Sequence, residues 1–484
     1  MPARGFMRNF RPLEILTEEQ MESIHRGSLD VLEHTGIRFE SEKALKLFEK
    51  NGCKVDFENK RVRFPPGLVE ECLRRCPTSF HLRARNPKND LNLSANNPTY
   101  FCVFPGMRTV DIDTWEPRTP TIEENHNAVK VLDSLEHVHL SVSYVPYCEL
   151  EGVAPAMLLP TSCWSRMKYF TKPFRVGQAE ESWLWGIQMA QVLDIDVFGS
   201  FESAPPLTWY GDAIECAWAH AEAGFPIEVG CGAVLGGTGP ATFAGGLVAS
   251  NAEMMSGIVL VQLLRPGLGT IANCFVFPQN MRTGAPGFGQ IGISLFQAGY
   301  TQMWRAKYGL PTLLGACGPM ASKLPDAQYG YEKAMACTIG ALSGGSIINA
   351  IGGLHGELTY HPVVSVLDND MAGMIGRFLE GLHVNEETLA LDLIQQVGPI
   401  PGFFLGESHT RENWHKEQFV PQVFDQLTYT EWQAAGKKSA IDNAKERVNE
   451  LIANYEHDLP EDKEVELDRI LEEAKHYYHK KGLM

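Results

Sequence analysis

From about residue 120 to 410 the chain repeats one unit: a short apolar run, a loop rich in Gly or Pro, then a helical segment. The runs lie at 138–145, 169–176, 227–235, 270–277, 312–316 and 346–351. Strands alternating with helices read as βαβ units, and their strands are parallel because each helix carries the chain back across the sheet. Runs that are apolar on both faces suit a sheet covered on both sides. Such units repeated over about 290 residues predict an α/β fold, a (β/α)8 TIM barrel. A doubly wound open sheet answers to the same alternation. The segments 197–206 and 401–405 are the candidates for the remaining two strands.

The flanks read differently. Residues 1–120 predict a small helical N-terminal subdomain with short strands, 121–425 the catalytic barrel, and 426–484 a helical C-terminal extension. Thr17 and Gln20 have capping-box spacing before a helical pattern, a second helix runs over 42–51 to Gly52, and Pro65 and Pro66 open a third after a strand at 61–64. The tail alternates Lys and Glu in the manner of a solvated helix face.

Forty-two basic against 59 acidic residues give a net charge of −17. That is the wrong sign for tracking a phosphate backbone or an anionic membrane, so neither nucleic acid nor membrane is expected as a partner. The apolar stretch 247–264 carries Asn251, Glu253 and Gln262, which reads as a buried core helix rather than a span. Arg4, Arg8 and Arg11 stand near the start without an apolar run, so no leader is read there and a cytoplasmic location is expected. The 11 cysteines include no CxxC pair and fit reduced thiols.

Glycines crowd 230–239 before Pro240, but without GxGxxG spacing or an acidic residue at the end of a second strand; close approach of a loop to a ligand or partner fits better than a dinucleotide site. His137 and His139 share a strand face with no third ligand in view, so hydrogen-bonded structural roles are expected and no metal. His355, Glu357, Tyr360 and His361 follow the run 346–351, at the strand end where a parallel barrel builds its site. Phe275, Phe277, Gln279 and Asn280 form a second strand-end group, and Tyr144, Tyr147 and Glu149 a third. Aromatic faces with a nearby carboxylate suit a cation that lacks hydrogen-bond donors.

Several linked motifs resemble the trimethylamine methyltransferase family: GPATFAGGLV at 239–248 with Asn251, Ala252 and Glu253, QLLRPG at 262–267, RTPT at 118–121, SKLPDAQYGYE at 322–332, and His409 and Thr410 followed by Arg411 and Pro421. The resemblance runs from about residue 10 to 475 and implies a (β/α)8 barrel. The family's founding members carry pyrrolysine in the loop that here reads GPMASK at 318–323, with ordinary Pro319, Met320 and Ala321. The resemblance therefore implies the non-pyrrolysine branch, similar to glycine betaine:corrinoid methyltransferases, with proline betaine, carnitine and γ-butyrobetaine enzymes as relatives.

What that branch implies is transfer of a methyl group from a quaternary amine to the Co(I) corrinoid, a cobalamin, of a small partner corrinoid protein. No tightly bound cofactor of the chain's own is implied, and the chain has no DxHxxG signature. A homo-oligomer is expected. No catalytic acid or base is expected, because the leaving group is a neutral tertiary amine. His355 or His361, aided by Tyr360, is expected to take the betaine carboxylate, Phe101, Phe104, Phe275 and Phe277 to line the ammonium, and Glu357 to balance its charge. Gly236, Gly237, Gly318 and Met320 are expected on loops facing the corrinoid. The rival readings are a non-catalytic betaine-binding protein, a zinc-dependent corrinoid methyltransferase, and a trimethylamine enzyme without pyrrolysine.

Overall fold

The computed structural model describes residues 5–484. Eight parallel strands form one sheet: β1 Tyr100–Val103, β2 Leu140–Ser141, β3 Arg175–Val176, β4 Phe198–Glu202, β5 Ile227–Cys231, β6 Thr270–Cys274, β7 Thr312–Leu314 and β8 Ile347–Ile351. Each is followed by a helix: α1 Ile122–Ser134, α2 Leu158–Tyr169, α3 Trp183–Leu193, α4 Gly211–Ala223, α5 Phe243–Leu264, α6 Ile291–Gln302, α7 Ala327–Leu342 and α8 Pro362–Glu380. Strand neighbours follow chain order from β3 to β8, then β8 pairs β1 and β1 pairs β2. A parallel bridge between Ser141 and Phe174 brings β2 to the start of β3. The expected (β/α)8 barrel is therefore present.

Side-chain parity explains the two-sided burial. A Cβ at Gly199 would strike the His220 ring of α4, and a Cβ at Gly257 of α5 would lie 2.9 Å from Val229, so Gly199 and Val229 point outward. Alternation along a strand then turns Ser200, Glu202, Glu228 and Gly230 inward. The outward set packs on the helices, and the inward set fills the barrel.

Three differences from the sequence reading have physical causes. The first barrel strand, Tyr100–Val103, lies inside the stretch assigned to the N-terminal subdomain; a strand of four residues, all buried, is too short to show a period. The segment 401–405 is an exposed loop instead of a strand, with Phe403 68% and Leu405 82% exposed, whereas 197–206 does hold β4. The charged tail is solvated on one face only: the helix Glu461–Lys480 buries Leu467, Ile470, Ala474 and Tyr478, and Trp185 of α3 donates to Tyr478 Oη at 3.2 Å.

N-terminal to the barrel, three helices (Glu18–Asp30, Glu42–Lys50 and Pro66–Arg75) accompany a four-stranded sheet. One of its strands, Thr208–Trp209, comes from the loop after β4 and pairs with Ile37–Phe39. α5 is long and apolar enough to cross a membrane by length and composition, yet most of that stretch is buried inside the protein.

Candidate active site

The inward residues of β3 to β6 form a polar floor in the barrel. The Arg175 guanidinium donates to Glu202 Oε1 at 2.8 Å, to Ser143 Oγ at 3.1 Å, and to Glu228 Oε2. Asn273 Nδ2 donates to Glu228 Oε1 at 2.6 Å. β3 and β5 are separated by β4, so the Arg175–Glu228 bond crosses the barrel interior. Glu228 has no exposed surface, whereas the Glu202 side chain keeps 32% of its own. Desolvation is the largest influence on Glu228 and pushes its carboxyl up to about 7, against the pull of Arg175. Glu202 is the carboxylate of this set that reaches the mouth.

Above the floor stands an aromatic wall. Phe104, just after β1, stacks on Phe275, just after β6, at 5.9 Å between centroids and 16° between planes. Phe275 meets Phe277 edge-on at 4.8 Å, and Phe277 meets Phe288 at 5.0 Å. Floor and wall adjoin: a Cβ at Gly315 would lie 2.9 Å from Asn273 Oδ1 and 3.0 Å from Phe275, and one at Gly230 would lie 3.2 Å from both Glu202 and Asn273. Tyr144 joins the same neighbourhood. Burial chiefly raises its phenol to about 12, with Cys148 and Glu202 adding to the rise, so it stays a neutral hydrogen-bonding group.

The loops after β7 and β8 back this wall: a Cβ at Gly318 would lie 2.9 Å from Phe104, and one at Gly356 2.7 Å from Phe288. Gly353 has φ 85°, and a Cβ there would lie 2.8 Å from Gly318 O, so only glycine lets the two loops touch. Lys333 of α7 holds them from behind. Its Nζ donates to Gly318 O at 2.9 Å and to Gly352 O, and lies 3.7 Å from Asp368 of α8. Asp368 also accepts from Tyr329 Oη at 2.6 Å and from Gly352 N at 2.7 Å. Every polar atom of this clamp is occupied.

The expected site residues separate. Phe104, Phe275 and Phe277 meet at the mouth. Phe101 does not: it lies on the outward side of β1, 5.8 Å from Phe6, with its N–H on His139 Nδ1 at 3.0 Å. Glu357 is exposed on the rim, its carboxyl raised by desolvation and by Glu202. His355 is partly buried with φ 57°; its Nδ1 is 2.6 Å from Thr359 Oγ1, leaving Nε2 for another partner. Desolvation, then Lys323, lowers its pKa, which keeps the ring neutral at pH 7. Tyr360 is wholly buried, accepting from Ser365 Oγ at 2.8 Å beneath the loop. His361 caps α8, its Nδ1 accepting from Val363 N at 3.2 Å, in a separate groove beside α1 and the helix Ala440–Ala453. His355 and His361 are therefore not one anchor.

Among the corrinoid-facing expectations, Gly236 and Gly237 are exposed on a rim ribbon in which Val234–Leu235 pairs with Phe277–Pro278. Gly318 and Met320 are fully buried, and Met320 O accepts from Gly356 N at 2.6 Å, so they shape the loop instead of facing outward. Arg175, Glu202, Glu228, Asn273 and Phe288 escaped the sequence reading. The available signal was a charge inside an apolar strand, as in IEVGC at 227–231, where burial makes an unpaired carboxylate costly.

The motif residues of α5 do scaffold work. Glu253 accepts from Leu207 N at 2.7 Å and Ser203 Oγ at 2.5 Å, fixing the loop after β4, while Asn251 accepts from Trp304 Nε1 at 3.0 Å. Burial raises the thiols throughout, Cys148 to about 12, so none stands ready as a thiolate. Among the described residues no group of three or more His, Cys, Asp or Glu is placed to hold a metal.

The model of the trimethylamine methyltransferase family matches residues 1–476. A glycine betaine methyltransferase of Desulfitobacterium hafniense (strain Y51) is 31% identical, over 91% of this chain and 92% of the relative. A trimethylamine methyltransferase of the same species, strain DSM 10664 / DCB-2, is 28% identical over 96% and 94%, and one of Methanosarcina thermophila 28% over 92% and 94%. Among solved structures, the Methanosarcina barkeri monomethylamine methyltransferase aligns with TM-score 0.43 and 11% identity, over 89% of this chain and 92% of that one.

Proposed function

The chain belongs to the trimethylamine methyltransferase family, and from that premise we propose that it moves a methyl group from a quaternary amine, glycine betaine first, to the Co(I) corrinoid of a small partner protein. The observation that carries this reading is the mouth itself: Phe104, Phe275, Phe277 and Phe288 beside the carboxylates of Glu202 and Glu357. A quaternary ammonium has no N–H to donate, so aromatic faces and nearby negative charge are what can hold it. The ordinary Pro319, Met320 and Ala321 in the loop after β7 support a substrate that needs no pyrrolysine.

The rim suits a large cofactor face carried by another protein, since Gly236, Gly237 and Gly239 leave Thr238 as the sole side chain across 236–239. Transfer to a Co(I) corrinoid would break the C–N bond, its electron pair leaving on the tertiary nitrogen of dimethylglycine, whose carboxylate keeps its charge, so no proton has to be delivered. The chain's own residues orient and desolvate. Glu202 and the phenyl wall fix the ammonium, with Arg175 keeping Glu202 in place from below. In this reading His355 Nε2, with the Lys323 cation near it, takes the betaine carboxylate, supported by the mutual electrostatic influence of the two side chains. Self-association is part of the same reading, supported by bare apolar residues in the segment after α8, Ile400 94% and Leu405 82% exposed.

The test is methylation of reduced cob(I)alamin, followed by absorbance, with glycine betaine, proline betaine, carnitine, γ-butyrobetaine, trimethylamine and dimethylglycine. Turnover with glycine betaine and none with trimethylamine is the expected result. Tight betaine binding without any turnover moves the protein to a binding role and ends the proposal.

A further inference from the structure

Outside the barrel mouth, α7, α8 and the segment 419–441 enclose a cavity of about 400 Å3. Its volume lies in the range of small-molecule sites, and its wall is mostly apolar, formed by Leu367, Met371, Met374, Phe419, Phe424 and Ile441. Three carboxylates line it, and they differ in one respect. Asp326 caps α7, accepting from Gln328 N at 2.9 Å and Tyr329 N at 3.3 Å. Asp368 is taken up by Tyr329, Lys333 and Gly352 N. Asp370 is 2% exposed and uses one oxygen only: Oδ2 accepts from Gln422 N and Val423 N, both at 2.8 Å, while Oδ1 is buried without a hydrogen-bond partner.

A buried acceptor left empty in a roomy cavity costs free energy that a donor would recover. The lining cation, Lys333, is already bound to Asp368 and to two carbonyls, so the acidic residues leave the cavity selective for positive charge. We propose that this cavity is a second binding site, for a small amphipathic amine that carries an N–H⁺ group to Asp370 Oδ1 and an apolar body to the methionine and phenylalanine wall. The site stands apart from the mouth and does not depend on the methyl-transfer reading. It selects by an opposite rule: the mouth suits an ammonium without N–H groups, and Asp370 asks for one.

Calorimetric titration of the full-length protein tests this with two probes of nearly equal shape, N,N-dimethylbutylammonium and N,N,N-trimethylbutylammonium. The expected result is at least about tenfold tighter binding of the N–H probe, a difference of about 1.4 kcal/mol. Ala334→Trp, which fills the cavity, and Asp370→Asn, which keeps one oxygen for the 422–424 backbone, both abolish that preference. Melting curves confirm that each variant is folded, and the probe pair on the unaltered protein decides the matter if either is not. Equal affinity for both probes overturns the proposal, as does absence of binding. Preference that survives Ala334→Trp but falls in Glu202→Gln assigns the amine to the mouth and overturns it too.

Discussion

Arg175 on β3 and Glu228 on β5 are joined across the barrel interior, past the intervening strand, and Glu228 has no exposed surface at all. Its carboxyl is raised to about 7, desolvation outweighing the guanidinium. An acid whose pKa is higher folded than unfolded binds its proton more tightly in the native state. The contribution of Glu228 to stability is thus full below the ordinary carboxylate value of 4.5 and is lost as pH rises to about 7. Denaturant unfolding of Glu228→Gln across this window is expected to lack that decline, whatever its absolute stability, by up to about 1.4 kcal/mol per pH unit. Parallel slopes for both proteins would show that Glu228 does not titrate there.

Glu202 is the half of the floor that reaches the mouth, where the proposed reading sets the ammonium. Replacing it by Gln keeps the shape and removes the charge, so the KM for the quaternary amine is expected to rise about tenfold, with kcat altered less. A fall in kcat alone would place Glu202 outside ammonium binding.

His361 belongs to a helix terminus. His361→Ala is expected to leave the betaine KM within about twofold while lowering stability by about 1 kcal/mol, the usual cost of a lost N-cap, and His361→Asn to restore it. His355→Ala is expected to raise KM instead. If both substitutions affect KM equally, the two histidines share a task that their separate positions deny.

Lys333 ties the loops after β7 and β8 to Asp368. Lys333→Met leaves that carboxyl buried without its cation and two loop carbonyls without a donor. Loss of about 3–5 kcal/mol is expected by denaturant titration. Retained stability would mean that water takes over both roles.

The barrel was legible because its strands, buried on both faces, read as short mainly apolar runs and its helices come between them in alternation. The site was legible in part. Phe104, Phe275 and Phe277 stand at strand ends, where placement alone brings them to the mouth. Phe101 failed because the parity of a four-residue strand cannot be read without knowing which neighbour faces a helix. His361 failed because the chain turns at Gly352, Gly353 and Gly356, all with positive φ, so the ten-residue loop 352–361 ends on a helix cap and not at the mouth. Arg175 and Glu228 sit 53 residues apart, and nothing in either segment announces the other. The strongest motif residues, Asn251 and Glu253, mark the scaffold because buried polar groups allow little substitution once their partners are fixed.

β2 and β3 are two residues long, and they meet at a single bridge where the other neighbours form ladders. Arg166, on the helix behind, reaches through to Val142 O at 2.8 Å and Arg175 O at 3.3 Å. The cylinder is thus fastened at this seam by a side chain anchored outside it. Residues 142–157, which follow, run beside the mouth with Ser143 and Tyr144 and pair with the loop after β1, Gly106 N donating to Pro146 O at 3.1 Å and Cys148 N to Gly106 O at 2.9 Å. Because the Arg166 fastening and the bridge at Tyr147 use backbone atoms, a lineage can exchange the side chains at Ser143 and Tyr144 and keep its cylinder intact, which makes them a place where a change of preferred amine meets little resistance from the fold.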